Sequence, residues 1–222
     1  MPAPANLLPV HLRRTLRADG SLVEWMTVFC PAKARSVATD LCADCTRCHV
    51  VVLGRGETPK FVVCESASRG QREDPGVVAS PHATPVWGAM SGTVLCVEAD
   101  VSVERLNAML IDASIDCAPV VDCDGTLLGV VTRSDLMRWQ WRSGAPAVPA
   151  RSVMQSARTV PAVTPVATVG ALMASEGIDA LPIVSSDGHP VVVGVITARD
   201  VMAWLAHPAG RLREGRLPGS DA

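Results

Sequence analysis

Five of the eight cysteines fall between Cys30 and Cys64, and three of them follow one another as Cys42-x-x-Cys45-x-x-Cys48. Thiolates suit Zn²⁺, and a Cys-x-x-Cys turn presents two of them from one short loop. With five candidates for four places, the assignment is Cys30, Cys42, Cys45 and Cys64, with Cys48 as the alternate. Cys30 ends the β-prone piece "WMTVFC" and Cys64 ends "KFVVC", so both can converge on the knuckle. A segment of this size with little apolar material needs a staple, which is the physical motive for zinc. Three alternatives stand beside it. An iron–sulfur cluster would use Cys42, Cys45, Cys48 and one distant cysteine. A redox dithiol would use Cys42 and Cys45, without the βαβ setting such dithiols have. The thiols could also be free. His49 and His82 lie near the cluster but at no ligand spacing. Cys96, Cys117 and Cys123 occur singly among apolar residues and read as core filler.

The second chemical feature is written twice. "GVVTRSDL" at 129–136 returns as "GVITARDV" at 194–201. Thr132 and Thr197 sit where a strand turns into a helix, where free N–H groups and the positive end of the helix dipole face an anion. A hydroxyl there can donate to a phosphate oxygen. One helical turn on, Asp135 and Asp200 place a carboxylate that can accept from both hydroxyls of a ribose diol. Arg133 and Arg199 can add a fork of donors to phosphate. The competing reading needs no ligand: Thr-x-x-Asp ahead of a helix is also a capping box.

The elements that position these residues form a repeat. "SIDCAPVVDCDG" (114–125) answers "GIDALPIVSSDG" (177–188), and "AMSG" (89–92) answers "VMQS" (153–156). In the first copy Val103, Leu106 and Leu110 recur at helical spacing, "CAPVVD" is a buried strand, "DG" a hairpin turn, "LLGVVT" a second strand, and "SDLMRWQW" opens another helix. In the second copy the first helix, "VGALMASEG", reads as about one turn shorter. One such unit buries too little surface to stand alone, so the two should pack together. Ahead of them, residues 1–24 lack periodicity and read as an N-terminal extension. Residues 25–65 form a Cys-rich domain of short strands in which "GRGETP" joins "HVVVL" to "KFVVC". A linker at 66–84, repeats at 85–142 and 150–206, and a flexible tail at 207–222 complete the partition.

The paired units, with Pro119, Gly125, Gly129, Thr132, Asp135 in one and Pro182, Gly188, Gly194, Thr197, Asp200 in the other, resemble CBS domains, which occur in tandem as Bateman modules. The resemblance covers 85–206. It implies two βαββα repeats packed as a pseudo-two-fold pair, an α/β (α+β) fold, behind a small metal-stapled, β-rich segment that is similar to zinc-ribbon-like folds. It also implies an adenosine-type ligand (AMP, ADP, ATP or a relative) in one or both clefts, held by Thr132, Arg133, Asp135, Thr197, Arg199 and Asp200, and association into a homodimer. The base would lie near Ile115, Pro119, Ile178 and Pro182, residues that read equally well as core. The second copy is the expected better site, because Arg199 directly precedes Asp200 and the loop "SSDGHPVV" can close over a ligand.

Composition narrows the function. Across 222 residues, 48% are apolar, enough for a packed core, and a net charge of −2 supplies no field for nucleic acid or anionic lipid, although nucleic-acid contact by the Cys-rich segment stays open. The uncharged run from Thr159 to Ser175 contains Pro161 and Pro165 and is too short for a membrane span. The N-terminus has the wrong order of charge and apolar residues for a secretory signal, leaving a cytoplasmic protein as the expectation and organelle targeting as a weaker one. No nucleophile and base, Walker-type Gly loop or His-Glu metal-hydrolase motif is present, so an enzyme is not expected. The expectation is a regulatory sensor whose CBS-like pair binds an adenine nucleotide and whose Cys-rich segment contacts an unidentified regulated protein. The alternative is a dimerising scaffold without nucleotide, and a third reading is redox sensing through the cysteines.

Overall fold

The computed structural model describes residues 6–53, 60–64, 82, 84–142, 148–185 and 190–206. The "GRGETP" connection, most of the linker, Gly188 with the tip of its loop, and the tail lie outside the described residues.

The chain opens with strand β1 (Asn6–Leu16), which pairs antiparallel with β2 (Leu22–Cys30). This is where the structure departs most from the sequence reading, which left residues 1–24 without regular structure. β2 and β6 pair with the two edges of β1, and adjacent residues, Val10 with His11 and Thr15 with Leu16, are buried, so both of its faces are covered and no period-two alternation is visible. The Cys-rich region continues with β3 (Arg35–Ala38), α1 (Thr39–Ala43), β4 (Cys48–Val52) and β5 (Phe61–Cys64). β1 serves two neighbours along its length. Asn6 to Pro9 pair with β5, while Leu12 to Leu16 pair in parallel with β6 (Thr93–Glu98), the first strand of the first repeat. A strand edge that would otherwise stay open is thereby capped, and the sheet runs in the order β3-β2-β1-β6-β7-β8.

Each repeat is βαββα, as the resemblance implies; the helix, strand, turn, strand and helix read from spacing are preceded by a strand that spacing did not show. The first comprises β6, α2 (Val103–Asp112), β7 (Cys117–Val121), β8 (Leu127–Thr132) and α3 (Arg133–Arg142). The second comprises β9 (Val160–Pro161), α4 (Val166–Glu176), β10 (Ala180–Val184), β11 (Val192–Thr197) and α5 (Ala198–Ala206). α4 is 11 residues against 10 for α2, so the expected shortening is absent. Its apolar stripe starts at Val166 directly after Pro165, which caps the helix without any side-chain bond, and such a start carries no sequence marker.

The two repeats exchange their leading segments. Residues 86–90 belong to the second unit's core, where Val86, Ala89 and Met90 pack with Ile183, Ile196 and Trp204; Ala150 belongs to the first, with Leu106, Val131 and Leu136. Backbone bonds follow the exchange: Ser91 N–H donates to Val195 O (3.1 Å), and Gln155 N–H to Val130 O (2.9 Å). This explains the repeated glycine. A Cβ on Gly129 would lie 2.7 Å from Gln155 O, and one on Gly194 would run into the Met90 side chain. Phe29 of β2 also enters the second core, stacked on Trp87 with centroids 5.7 Å apart. A fully buried side chain of this kind contributes about 1.5–3 kcal/mol, so the exchanged segments and β2 are held by packing as much as by hydrogen bonds.

Candidate functional site

The Thr-x-x-Asp motif has the same internal geometry in both repeats. In the second, Asp200 Oδ2 accepts from Thr197 N–H (2.9 Å) and Thr197 Oγ1 (2.7 Å), and Asp200 N–H donates to Thr197 Oγ1 (3.1 Å). In the first, Asp135 Oδ2 accepts from Thr132 N–H (2.9 Å) and Thr132 Oγ1 (2.6 Å). This is the reciprocal capping box, and it fixes both carboxylates at the start of α3 and α5, where Asp135 is 5% and Asp200 7% exposed. Of the two readings of the motif, the cap is realised at both copies; it does not by itself decide about a ligand.

What surrounds the caps differs. Ser91, delivered by the exchanged segment, donates its hydroxyl to Asp200 Oδ2 at 2.8 Å. Its counterpart Gln155 bonds to Val130 through its backbone, and Asp135 is paired instead with Arg138 at 3.3 Å. A cleft of about 390 Å³ opens above the second cap, within the size range of small-molecule sites. Thr197, Arg199 and Asp200 line it together with Ser91, Thr93–Leu95 of β6, and the equivalent residues Asp116 and Asp179. Three of the six proposed ligand-binding residues therefore share one cleft. Thr132 and Asp135 sit at the first cap. Arg133 is turned onto the Asp116 carboxylate (3.1 Å) and the Ile115 carbonyl (3.1 Å). Of the apolar candidates, Ile115 lines the cleft and Ile178 packs on the second core, while Pro119 and Pro182 are buried within β7 and β10.

Sequence reasoning missed Ser91, Thr93 and the two loop aspartates. The correspondence of "AMSG" with "VMQS" carried the signal for Ser91, but its place depends on the segment exchange, which sequence periodicity does not encode. Cys117 also lines the cleft; burial first, then Cys96, Asp116 and Asp135, pushes its thiol up to about 12, so it is an uncharged wall group.

β1 lies beside the cleft-lining strand β6 in the same sheet. Its residues Leu12, Arg13 and Arg14 are in register with the cleft-lining Thr93, Val94 and Leu95, and Leu12 N–H donates to Gly92 O at 2.8 Å. Next to it His11, 2% exposed, points Nδ1 at Ser91 O (3.2 Å). A carbonyl only accepts, so Nδ1 carries the proton, and among the described residues Nε2 is buried without a partner. Burial lowers the His11 pKa to about 4, with the Ser91 bond opposing the shift.

The five N-terminal cysteines gather at the far end of β1. Cys48 faces Cys64 across β4 and β5; Cys45 N–H bonds to Cys42 O and Cys48 N–H to Cys45 O; and Cys30, Cys42, Cys48 and Cys64 share one apolar cluster. Burial, and then the neighbouring Cys48, Cys30, Cys45 and Cys64, push the Cys42 thiol up to about 11. Burial raises Cys48 and Cys64 as well. Among the described residues no three His, Cys, Asp or Glu side chains converge as a metal-binding group.

The CBS-domain family model matches residues 86–142 and 150–207, more than half of the chain, and the chain belongs to that family. Solved structures agree in fold. The CBS domain pair of protein MJ0100, in complex with 5'-methylthioadenosine and S-adenosyl-L-methionine, is 24% identical at a TM-score of 0.50, covering 57% of this chain and 98% of that one. A putative acetoin utilization protein (AcuB) from Vibrio cholerae is 23% identical at 0.53, covering 57% and 94%. CBS domain protein PAE2072 from Pyrobaculum aerophilum, complexed with AMP, is 19% identical at 0.50, covering 55% and 98%. No curated protein matches. Among the described residues no helix is long and apolar enough to cross a membrane.

Proposed function

We propose that this chain is a regulatory ligand sensor whose second-repeat cleft binds an adenosine-type ligand. The observation that carries the reading is the cleft of about 390 Å³ over Thr197 and Asp200, with a buried carboxylate at its floor and hydroxyls at Ser91 and Thr93. Adenosyl ligands bound by CBS pairs in the structures above support the ligand class. Asp200 would accept from the ribose hydroxyls, and apolar Val94, Leu95 and Val195 would flank the base. Occupancy would be passed on through β6 to β1, whose other half carries the cysteine lobe toward a regulated partner. Millimolar AMP, ADP, ATP, S-adenosylmethionine and NAD, screened by thermal shift, test it. A ligand that binds only the native state raises Tm, and no shift with any of them would remove the sensor reading.

The cysteine lobe would hold one Zn²⁺ through Cys30, Cys42, Cys45 and Cys64, with Cys48 as the alternate. Cys42 and Cys64, whose thiols burial pushes up, are uncharged alone and would ionise on a metal. Binding would require side-chain rotation to bring the donors together. Metal content of the purified protein decides it, with Cys42→Ser expected to lower zinc and Cys117→Ser to leave it unchanged. A dimer would form through α3 and α5, where Met137, Trp141 (85% exposed), Met202 and Leu205 leave apolar surface open; sedimentation of the full chain tests that.

A further inference from the structure

We infer that Cys48 and Cys64 are a thiol–disulfide pair, which a small-molecule disulfide closes into a cross-strand bond fixing β4 to β5. This pair lies in the cysteine lobe and is independent of any ligand in the second-repeat cleft.

The two residues oppose each other in the register that brings side chains closest. Cys48 faces Cys64 across the antiparallel β4–β5 ladder. On its other edge β5 pairs with β1, with Asn6 opposite Cys64, and that ladder runs on to Val10 N–H donating to Lys60 O (3.0 Å). Alternate residues of a strand turn their backbone groups to opposite edges, so Cys64, in step with Lys60, directs its N–H and C=O toward β1 and away from β4. Cys48 N–H is likewise given elsewhere, to Cys45 O (3.0 Å). The cysteines are therefore a non-hydrogen-bonded pair, for which antiparallel Cα atoms lie about 4.5 Å apart with both side chains on one face. Disulfides span Cα separations of about 4.4–6.8 Å, so closure asks for side-chain rotation and not for strand movement. Among the described residues β5 is the one strand that pairs with β4, and its register shifts just beyond Cys48. A covalent bond at this point ties down a strand with little other support.

Cys48 is half-buried and Cys64 buried, so Cys48 meets the small disulfide first. Its thiolate attacks one sulfur and releases a small thiolate; the Cys64 thiolate then attacks the Cys48 sulfur and releases the second. The protein pair is oxidised by two electrons, the small disulfide is reduced to two thiols, and the two protein protons end on them. Burial raises both thiols, with Val50 N–H opposing the rise at Cys48, so exchange is slow at neutral pH and quickens as pH increases. Cys42, pushed up to about 11 by burial and then by the surrounding thiols, is held back as a competitor. If Cys64 ligates zinc, closing the bond removes that ligand, so metal and disulfide exclude each other.

Full-length protein equilibrated with an oxidising ratio of glutathione disulfide to glutathione, with EDTA present so that no metal masks the thiols, then alkylated and mapped by mass spectrometry, tests the pairing. Peptides joined through Cys48 and Cys64 should exceed any other protein disulfide at least about tenfold, disappear on reduction, and lose that lead in urea, where folding no longer holds the two thiols together. A dominant Cys42–Cys45 bond, the same spread of pairs in native protein as in urea, glutathione adducts without a Cys48–Cys64 bond, or thiols that all stay reduced would overturn the inference.

Discussion

The two repeats close their helices with the same four atoms and then part company one layer out. Asp135 and Asp200 make the same bonds to Thr132 and Thr197, yet one carboxylate is further engaged by an arginine of its own helix and the other by a serine from the exchanged segment. The repeated motif is thus a folding device, a cap that both halves need. On the proposed reading, a difference in ligand chemistry would come from what the exchanged segments deliver, Ser91 at one cap and Gln155 at the other, and from β1, which is paired to the strand beside the second-repeat cleft. A sequence repeat of this kind reports the shared fold better than it reports the site.

That asymmetry can be sharpened by perturbing it. His11 supports the Ser91 side alone, and its effect should be the largest. Its pKa is about 4 folded against 6.5 unfolded, so below pH 6.5 the unfolded chain binds more protons and stability falls as pH drops toward 4, while above 6.5 the term vanishes. The loss amounts to about 3 kcal/mol over that window. Urea unfolding at several pH values should show this slope in the wild type and a shallower one in His11→Gln; equal slopes would mean that the histidine is solvated.

The twin glycines come next. Gly129→Ala meets the Gln155 backbone, which cannot move aside, and should cost about 1–3 kcal/mol; Gly194→Ala meets the flexible end of Met90 and should cost less. Equal costs in denaturant titrations would show the two crossings to be equally tight. Asp135→Ala and Asp200→Ala remove equivalent caps and should each lower stability by about 0.5–2 kcal/mol, nearly alike. A large gap between them would break the equivalence of the caps. The smallest effect is expected of Ser91→Ala, about 0.5–1.5 kcal/mol for one hydrogen bond, with no counterpart on mutating the Gln155 side chain.

Much of the repeat was readable because its signals are local: apolar spacing for α2, the "DG" turn, and Thr-x-x-Asp at a strand end. The Cys-x-x-Cys turns and the pairing of Cys48 with Cys64 are short-range features, but the convergence of donors that the spacing implied is not found among the described residues. β1 was not readable. A strand covered on both faces, with His11, Arg13 and Arg14 inside it, loses the alternation that marks half-buried strands, and its partner β6 lies far along the chain. The segment exchange was hidden for the same reason, because pairing Ser91 with Val195 is a tertiary choice. Nor could spacing reveal that the Thr197 hydroxyl is spent on Asp200.

The central claim is that the second repeat holds the ligand, and adenosine titrated calorimetrically into Asp200→Ala and Asp135→Ala tests it most directly. Asp200→Ala should lose at least about tenfold in affinity while Asp135→Ala, destabilised to the same degree, binds as the wild type does. Unchanged affinity in Asp200→Ala, or a loss confined to Asp135→Ala, would contradict the assignment.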